Sequence, residues 1–187
     1  MKRLILALGL SITAGLACAK DVAGVSVPDQ VQGLSGNKLL LNGAGVRSKF
    51  FIKVYVGALY LPQKVGEASA AIGMPGNKRV LMHFVYDEVS SKKITDGWRE
   101  GFGNNLDQAT FSALGPRLER FNRLFEDMTE GDQIVFDYVS GQGTRVSVKG
   151  VEKGLIEGED FMRALLLVWL GDDPVDSDLK TALLGGY

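Results

Sequence analysis

The 187-residue chain holds one cysteine, one histidine and five prolines. The cysteine, Cys18, falls in a segment that reads as a leader. With no second thiol there is no internal disulfide, and stability must come from a packed core. A single histidine, His83, set in an apolar strand pattern, supplies neither a zinc set nor a Ser-His or Cys-His nucleophile, so its reading is structural. The phosphate-cradling loop GxxxxGK[ST] is missing. Gly43-x-Gly45 begins like a dinucleotide fingerprint, but Ser48 occupies the third glycine position and a strand-like run follows. Asp172, Asp173, Asp176 and Asp178 crowd a helix start, where capping and the helix dipole account for them. They lack the alternation and the glycine of a calcium loop. No metal or cofactor is expected. No basic run occurs and the net charge is −1, which argues against nucleic acid or an anionic membrane surface as partner. Repeats and low-complexity tracts are also lacking.

Long apolar runs are scarce too. Residues 159–170 end in ALLLVWL, apolar all round, and read as a helix buried in a core, about ten residues too short to cross a bilayer. The other apolar run, Leu4 to Ala14, follows Lys2-Arg3 and precedes Ala17-Cys18-Ala19. A basic start, a short apolar stretch and an A-x-A site describe a secretory signal peptide over 1–19, cleaved near Ala19. Gly15, three before Cys18, stands where acylation of the cysteine would call for a large aliphatic residue. The expected location is periplasmic or secreted. The remaining 20–187, about 170 residues, suits one domain.

What is present centres on Asn42–Pro62, NGAGVRSKFFIKVYVGALYLP. From Phe50 the residues alternate with the period of a strand, and both faces are apolar, as in a central strand covered on two sides. Gly43-Ala44-Gly45 permits a bend or bulge. A tight connection at Ser48-Lys49 puts Arg47 at a strand end, with Tyr55 on the same side. Arg47 is permanently charged beside an apolar strand. It must reach water, pair with an acid such as Asp87 or Glu88, or await an anion.

Around this stretch the sequence predicts an edge strand within Val22–Val27, a short helix over 67–72, and a strand over 79–89. A helix capped by Ser90-Ser91 carries Ile94, Trp98 and Phe102 inward. Its Gly97 and Gly101 allow close approach, either of packing neighbours or of a ligand. Phe111, Leu114, Leu118, Phe121, Phe125 and Met128 recur at helical spacing. Gly115-Pro116 interrupts them, so this helix is expected to start at Pro116. Arg117, Arg120 and Arg123 mark its solvated face. A hairpin over 133–149 and an added strand over 151–156 precede the apolar helix, and Asp176 or Ser177 caps a last one. Strands first and helices later give an α+β class with a mainly antiparallel sheet covered by helices.

The Gly43-x-Gly45-x-Arg47 stretch, the FIK strand with Gly57 and Tyr60-Leu61, and the closing GEDFMRALLLVWLGDDPVDSDLKTALLG resemble the chalcone isomerase-like superfamily over Leu39 to Gly185, closest to its bacterial exported branch. The resemblance implies an open-faced β-sandwich with a ligand cleft between sheet and helices, and it implies that Arg47 is the family's anion-binding arginine. Tyr55 falls where the plant isomerases carry threonine and the related fatty-acid-binding proteins carry tyrosine. The isomerases' active-site tyrosine and asparagine correspond to Ser90 and Gly97, and the hairpin after Arg47 is about four residues shorter than theirs. Losing one preorganised donor to a developing oxyanion costs about 10²–10³ in rate. The expectation is a non-catalytic binder of a small amphipathic anion, a fatty acid, held by Arg47 and Tyr55. The alternative is an intramolecular lyase converting a chalcone to a flavanone, with Arg47 steering the phenolate. A third reading is an interaction protein with a vestigial cleft.

Overall fold

The structure, a computed structural model, describes residues 19–186. The leader reading therefore lies outside the described residues, except that Ala19 opens the first strand. In chain order the strands are β1 (Ala19–Val22), β2 (Val25–Pro28), β3 (Gln30–Gln32), β4 (Lys38–Lys49), β5 (Ile52–Leu61), β6 (Lys78–Phe84), β7 (Glu88–Val89), β8 (Met128–Thr129), β9 (Gln133–Val139), β10 (Gly143–Val148) and β11 (Val151–Ile156). The helices are α1 (Ala68–Gly73), α2 (Ser91–Asn105), α3 (Gln108–Asn122), α4 (Glu159–Leu170) and α5 (Ser177–Leu183).

Seven strands form one sheet in the order β11-β10-β9-β6-β5-β4-β3, every pair antiparallel. Its helical face carries the larger core, in which Trp98 and Phe102 of α2, Leu114, Leu118 and Phe121 of α3, and Phe161, Leu165 and Trp169 of α4 pack on Leu59, Met82, Phe84 and Phe136. The opposite face buries Leu39, Leu41, Ala44, Val56, Ala58 and Tyr60 under Val25 and Val27 of the β1–β2 hairpin. The fold is thus α+β, with the central strand β5 covered on both sides, as its two apolar faces predict.

Several boundaries differ from the sequence reading; the strand expected over 79–89 ends at Phe84, and Glu88–Val89 is a separate short strand paired with Met128–Thr129. The edge strand expected within Val22–Val27 is a separate hairpin whose turn, Ala23-Gly24, takes positive φ at both residues, 52° and 82°. Helix α3 does not start at Pro116 but runs through it. Asp107, nine residues before Pro116, caps it, accepting from the N–H groups of Ala109 and Thr110 at 2.9 Å, and burial of Leu114, Leu118 and Phe121 outweighs the bond that Pro116 cannot make. Arg117 is not simply solvated, because it donates to Asp160 at 2.8 and 2.5 Å and ties α3 to α4. Finally, the β4–β5 turn is Phe50-Phe51, two residues later than Ser48-Lys49, with Lys49 paired to Ile52. Both phenylalanines have positive φ, 50° and 66°, the pattern of a type I′ hairpin turn that normally selects Asn and Gly.

The register of β4 on β5 contains two bulges. On β4, Asn42 is the unpaired residue between Leu41↔Tyr60 and Gly43↔Leu59. On β5, Val54 is unpaired between Arg47↔Tyr55 and Ser48↔Lys53. The first bulge inverts the strand's parity: Leu39 and Leu41 face the β1–β2 side, while beyond the bulge Gly43 and Gly45 face α5. The approach is close, since a Cβ on Gly43 would meet the carbonyl oxygen of Ala182 at 2.0 Å and one on Gly45 the Ala182 Cβ at 2.5 Å. Buried Asn42 holds the bulge, its Nδ2 donating to the Leu183 carbonyl and its Oδ1 accepting from the Val65 N–H, both at 2.7 Å. Asn42→Ala leaves both backbone groups unpaired. It is expected to lower stability by about 1–3 kcal/mol for each, measured by urea unfolding.

Candidate functional site

Past the Asn42 bulge, Arg47 points to the helical side and is the direct cross-strand partner of Tyr55. Cross-strand partners project to one face, and the Arg47 guanidinium carbon lies 5.7 Å from the centre of the Tyr55 ring. The two residues singled out from the sequence are therefore neighbours. The acids proposed as structural partners of Arg47 do not reach it. Neither Asp87 nor Glu88 forms an ion pair with it, and its buried Nε has no hydrogen-bond partner among the described residues. Asp176, from the cap of α5, comes near but uses its carboxylate elsewhere, accepting from the N–H groups of Ser48 and Leu179 at 2.9 Å.

Arg47 stands where three adjoining hollows meet. The largest, about 400 Å³, is open to solvent and is bordered by Phe50, Ile52, Val54, Tyr86 and Val89, with Lys49, Lys93, Glu88 and Glu100 around it. This volume is in the range of about 300–1,000 Å³ usual for small-molecule sites. A second hollow of about 60 Å³ extends inward to Tyr55, Met82, Phe84, Ile94 and Trp98, room for about two waters. A third, about 280 Å³, runs between Ser48, Asn104 and Pro174. All three are also lined by Gly97. The Val54 bulge lets adjacent residues, Val54 and Tyr55, both line the inner hollow.

Tyr55 is buried, and its oxygen accepts a 2.8 Å hydrogen bond from Trp169 Nε1 on α4. That leaves its own proton free for a ligand oxygen. Burial raises its pKa from 10.0 to about 12, against the opposing pull of Arg47 and the Trp169 bond. Desolvation wins, so at neutral pH the group is a phenol that donates, not a phenolate. Trp169 had no sequence signal beyond its place in an apolar helix.

Gly97 and Gly101 of α2 have different roles. A Cβ on Gly101 would meet Val168 Cγ1 at 2.8 Å, so this glycine admits α4. A Cβ on Gly97 would meet nothing within 4 Å, so this one leaves the cavity open. Ser90 accepts from the Lys93 N–H as helix cap, at 3.4 Å. His83 lies outside the cavity, its Nδ1 3.0 Å from Gln133 Nε2, with burial holding its pKa below the usual value. Among the described residues no cluster of three or more His, Cys, Asp or Glu side chains stands ready to hold a metal. No helix among them is long and apolar enough to cross a membrane.

Residues 19–185 match the model of a protein family described as chalcone isomerase-like. No curated protein matches the chain. Among solved structures it is similar to a fatty-acid binding protein of Arabidopsis thaliana, with a TM-score of 0.68 and 18% sequence identity over 86% of this chain and 92% of that one. At this identity the likeness establishes a shared fold.

Two measurements test the site. Gly97→Ala is expected to stabilise the protein by up to about 1 kcal/mol through helix propensity, and Gly101→Ala to destabilise it by about 1–3 kcal/mol through overpacking, both read by thermal unfolding. Because the folded pKa of Tyr55 lies above its unfolded value, its contribution to stability is complete below about pH 10 and is lost as pH rises towards 12. Ultraviolet titration of Tyr55→Phe should remove one phenol from the upper end of that window and leave the lower end unchanged.

Proposed function

The chain belongs to the chalcone isomerase-like family, and from that premise we propose that it is an exported, non-catalytic binder of a small amphipathic anion, a fatty acid. The observation that carries this reading is the Arg47 guanidinium, which has no acid partner among the described residues and borders a cavity walled by Phe50, Ile52, Val54, Tyr86 and Val89, with Lys49, Lys93, Glu88, Asp96 and Glu100 also on its lining. A carboxylate placed there gains charge-assisted bonds from Arg47 and a further one from the neutral Tyr55 hydroxyl. The inner hollow has room for little more than the carboxylate, so the tail lies outward along Val54, Ile52, Phe50 and Tyr86. The solved Arabidopsis fatty-acid binding protein of the same fold agrees with this ligand class. Export rests on the leader pattern of residues 1–19, and location in a periplasm or outside the cell follows from it.

The competing reading is cyclisation of a chalcone by addition of its phenolate to the enone. It asks for donors to the ketone oxygen at the positions of Ser90 and Gly97. Gly97 has no side chain to offer, and Ser90 is engaged as a helix cap and is not among the residues around the cavity. Arg47 and Tyr55 alone suit binding better than this chemistry.

Purified protein is expected to carry a fatty acid detectable by native mass spectrometry, and Arg47→Ala to lose at least about tenfold in affinity for it. Absence of lipid, with wild type and variant binding a fatty acid equally weakly, would overturn the reading. Flavanone formation above background that disappears in Arg47→Ala would replace it with the lyase.

A further inference from the structure

The most exposed large apolar side chains of the described residues are adjacent. Phe50 is 84% exposed and Phe51 fully so, with Ile52 at 45% beside them. They form the tip of the β4–β5 hairpin, where both phenylalanines hold positive φ. Neither the core nor the turn explains them, because they bury little and a type I′ turn favours Asn and Gly. Residues held so against local preference point to a role outside the fold. Along the chain the tip carries charge of one sign, with Lys49 and Lys53 exposed on its two flanks and no acid from Ser48 to Val54, while Glu88, Asp96 and Glu100 border the cavity behind it. It is continuous with the candidate site, since Lys49, Phe50 and Ile52 line the open cavity that leads to Arg47.

We propose that the β4–β5 hairpin tip is a docking surface for a lipid bilayer, with Phe50 and Phe51 entering the interface and Lys49 and Lys53 meeting anionic lipid phosphates. Phenylalanine rings bury at the boundary between headgroups and acyl chains, and flanking lysines extend their ammonium groups towards phosphate while their stems stay against apolar groups. The small net charge of the whole chain argues against an anionic surface as partner, but the relevant charge is local, and an aromatic pair with two cations is the usual composition of an interfacial contact. Docking at this place sets the cavity mouth against the membrane. It goes beyond the ligand reading and does not require it, because the contact uses the tip whether or not the cavity is filled.

The test is flotation of the purified protein with vesicles of three parts phosphatidylethanolamine to one part phosphatidylglycerol. Wild type is expected to float, and the double variant Phe50→Asn with Phe51→Gly to bind at least about tenfold more weakly. That variant supplies the residues the turn prefers, so its thermal midpoint should match or exceed that of wild type and misfolding cannot account for the loss. Lys49→Glu with Lys53→Glu should weaken binding to these vesicles and have little effect with pure phosphatidylcholine. Arg47→Ala should float like wild type, which separates docking from ligand capture: loss of bound lipid with intact flotation leaves the docking surface standing. Equal flotation of wild type and the Asn-Gly variant would overturn the proposal. So would a wild type that stays with the aqueous phase while dimerising through the tip, with the dimer lost in the Asn-Gly variant.

Discussion

An unbroken antiparallel strand keeps one parity from end to end, so with Leu39 and Leu41 facing the β1–β2 hairpin, Arg47 would face it as well. The bulge at Asn42 reverses this. After it Gly43, Gly45 and Arg47 turn to the helices, and the apolar positions on the other face pass to Ala44 and Val46. The bulge is fixed from outside the sheet, by the hydrogen bonds of Asn42 to Leu183 and Val65. The same inversion supplies the glycine track on which α5 lies. That helix brings Asp176 to the end of β4, where it binds the Ser48 N–H next to Arg47. Register, helix docking and the aim of the arginine are therefore one structural decision.

The electrostatics around Arg47 follow from where nearby carboxylates are already engaged. Asp176 serves two backbone N–H groups, and Asp96 pairs with Lys92 at 2.5 Å and with Arg99 at 3.8 Å. Glu88 and Glu100 also border the open hollow but form no ion pair with Arg47, so the guanidinium has no direct acid partner among the described residues. Tyr55 cannot provide one, since burial outweighs the field of Arg47 and keeps the phenol protonated. A cation and a neutral donor side by side in a largely apolar cavity are complementary to an anion. A phenolate or a structural acid here would cancel that selectivity.

Local patterns carried most of the architecture. Residues 159–170, apolar all round, are α4, and the turn residues 141–143 mark the β9–β10 hairpin. The failures occur where tertiary packing overrides local preference. Pro116 is carried inside α3 by the stripe it interrupts, and the Phe50-Phe51 turn uses residues that turn chemistry does not select. In the site, Arg47 and Tyr55 were legible because a charge and a phenol stand out in an apolar strand. Trp169, which fixes the phenol, belongs to a uniformly apolar helix and has no such contrast. Gly97 and Gly101 of α2 are indistinguishable in sequence, and only the position of Val168 separates a packing contact from an open wall. Gly43-Ala44-Gly45 allowed a bulge, but nothing placed it at Asn42, since a bulge residue is defined by its partner strand.

Cavity shape and hairpin tip together constrain how a lipid would enter. On the proposed fatty-acid reading, the narrow inner hollow would admit the head and the wide outer one, lined by Phe50 and Ile52, the tail, so that the carboxylate would lie inward and the chain towards the mouth. A fatty acid in a leaflet presents its carboxylate at the interface with its chain behind it. A protein docked through the tip meets that carboxylate first. The charged end can move to Arg47 while the chain is still in the bilayer, and the chain then exchanges one apolar surroundings for another without turning over or crossing water. The opposite orientation, tail inward, would require the chain to leave the membrane before the head was bound. The unpaired arginine and the exposed phenylalanines thus fit a single path, on which neither end of the ligand is left without a partner.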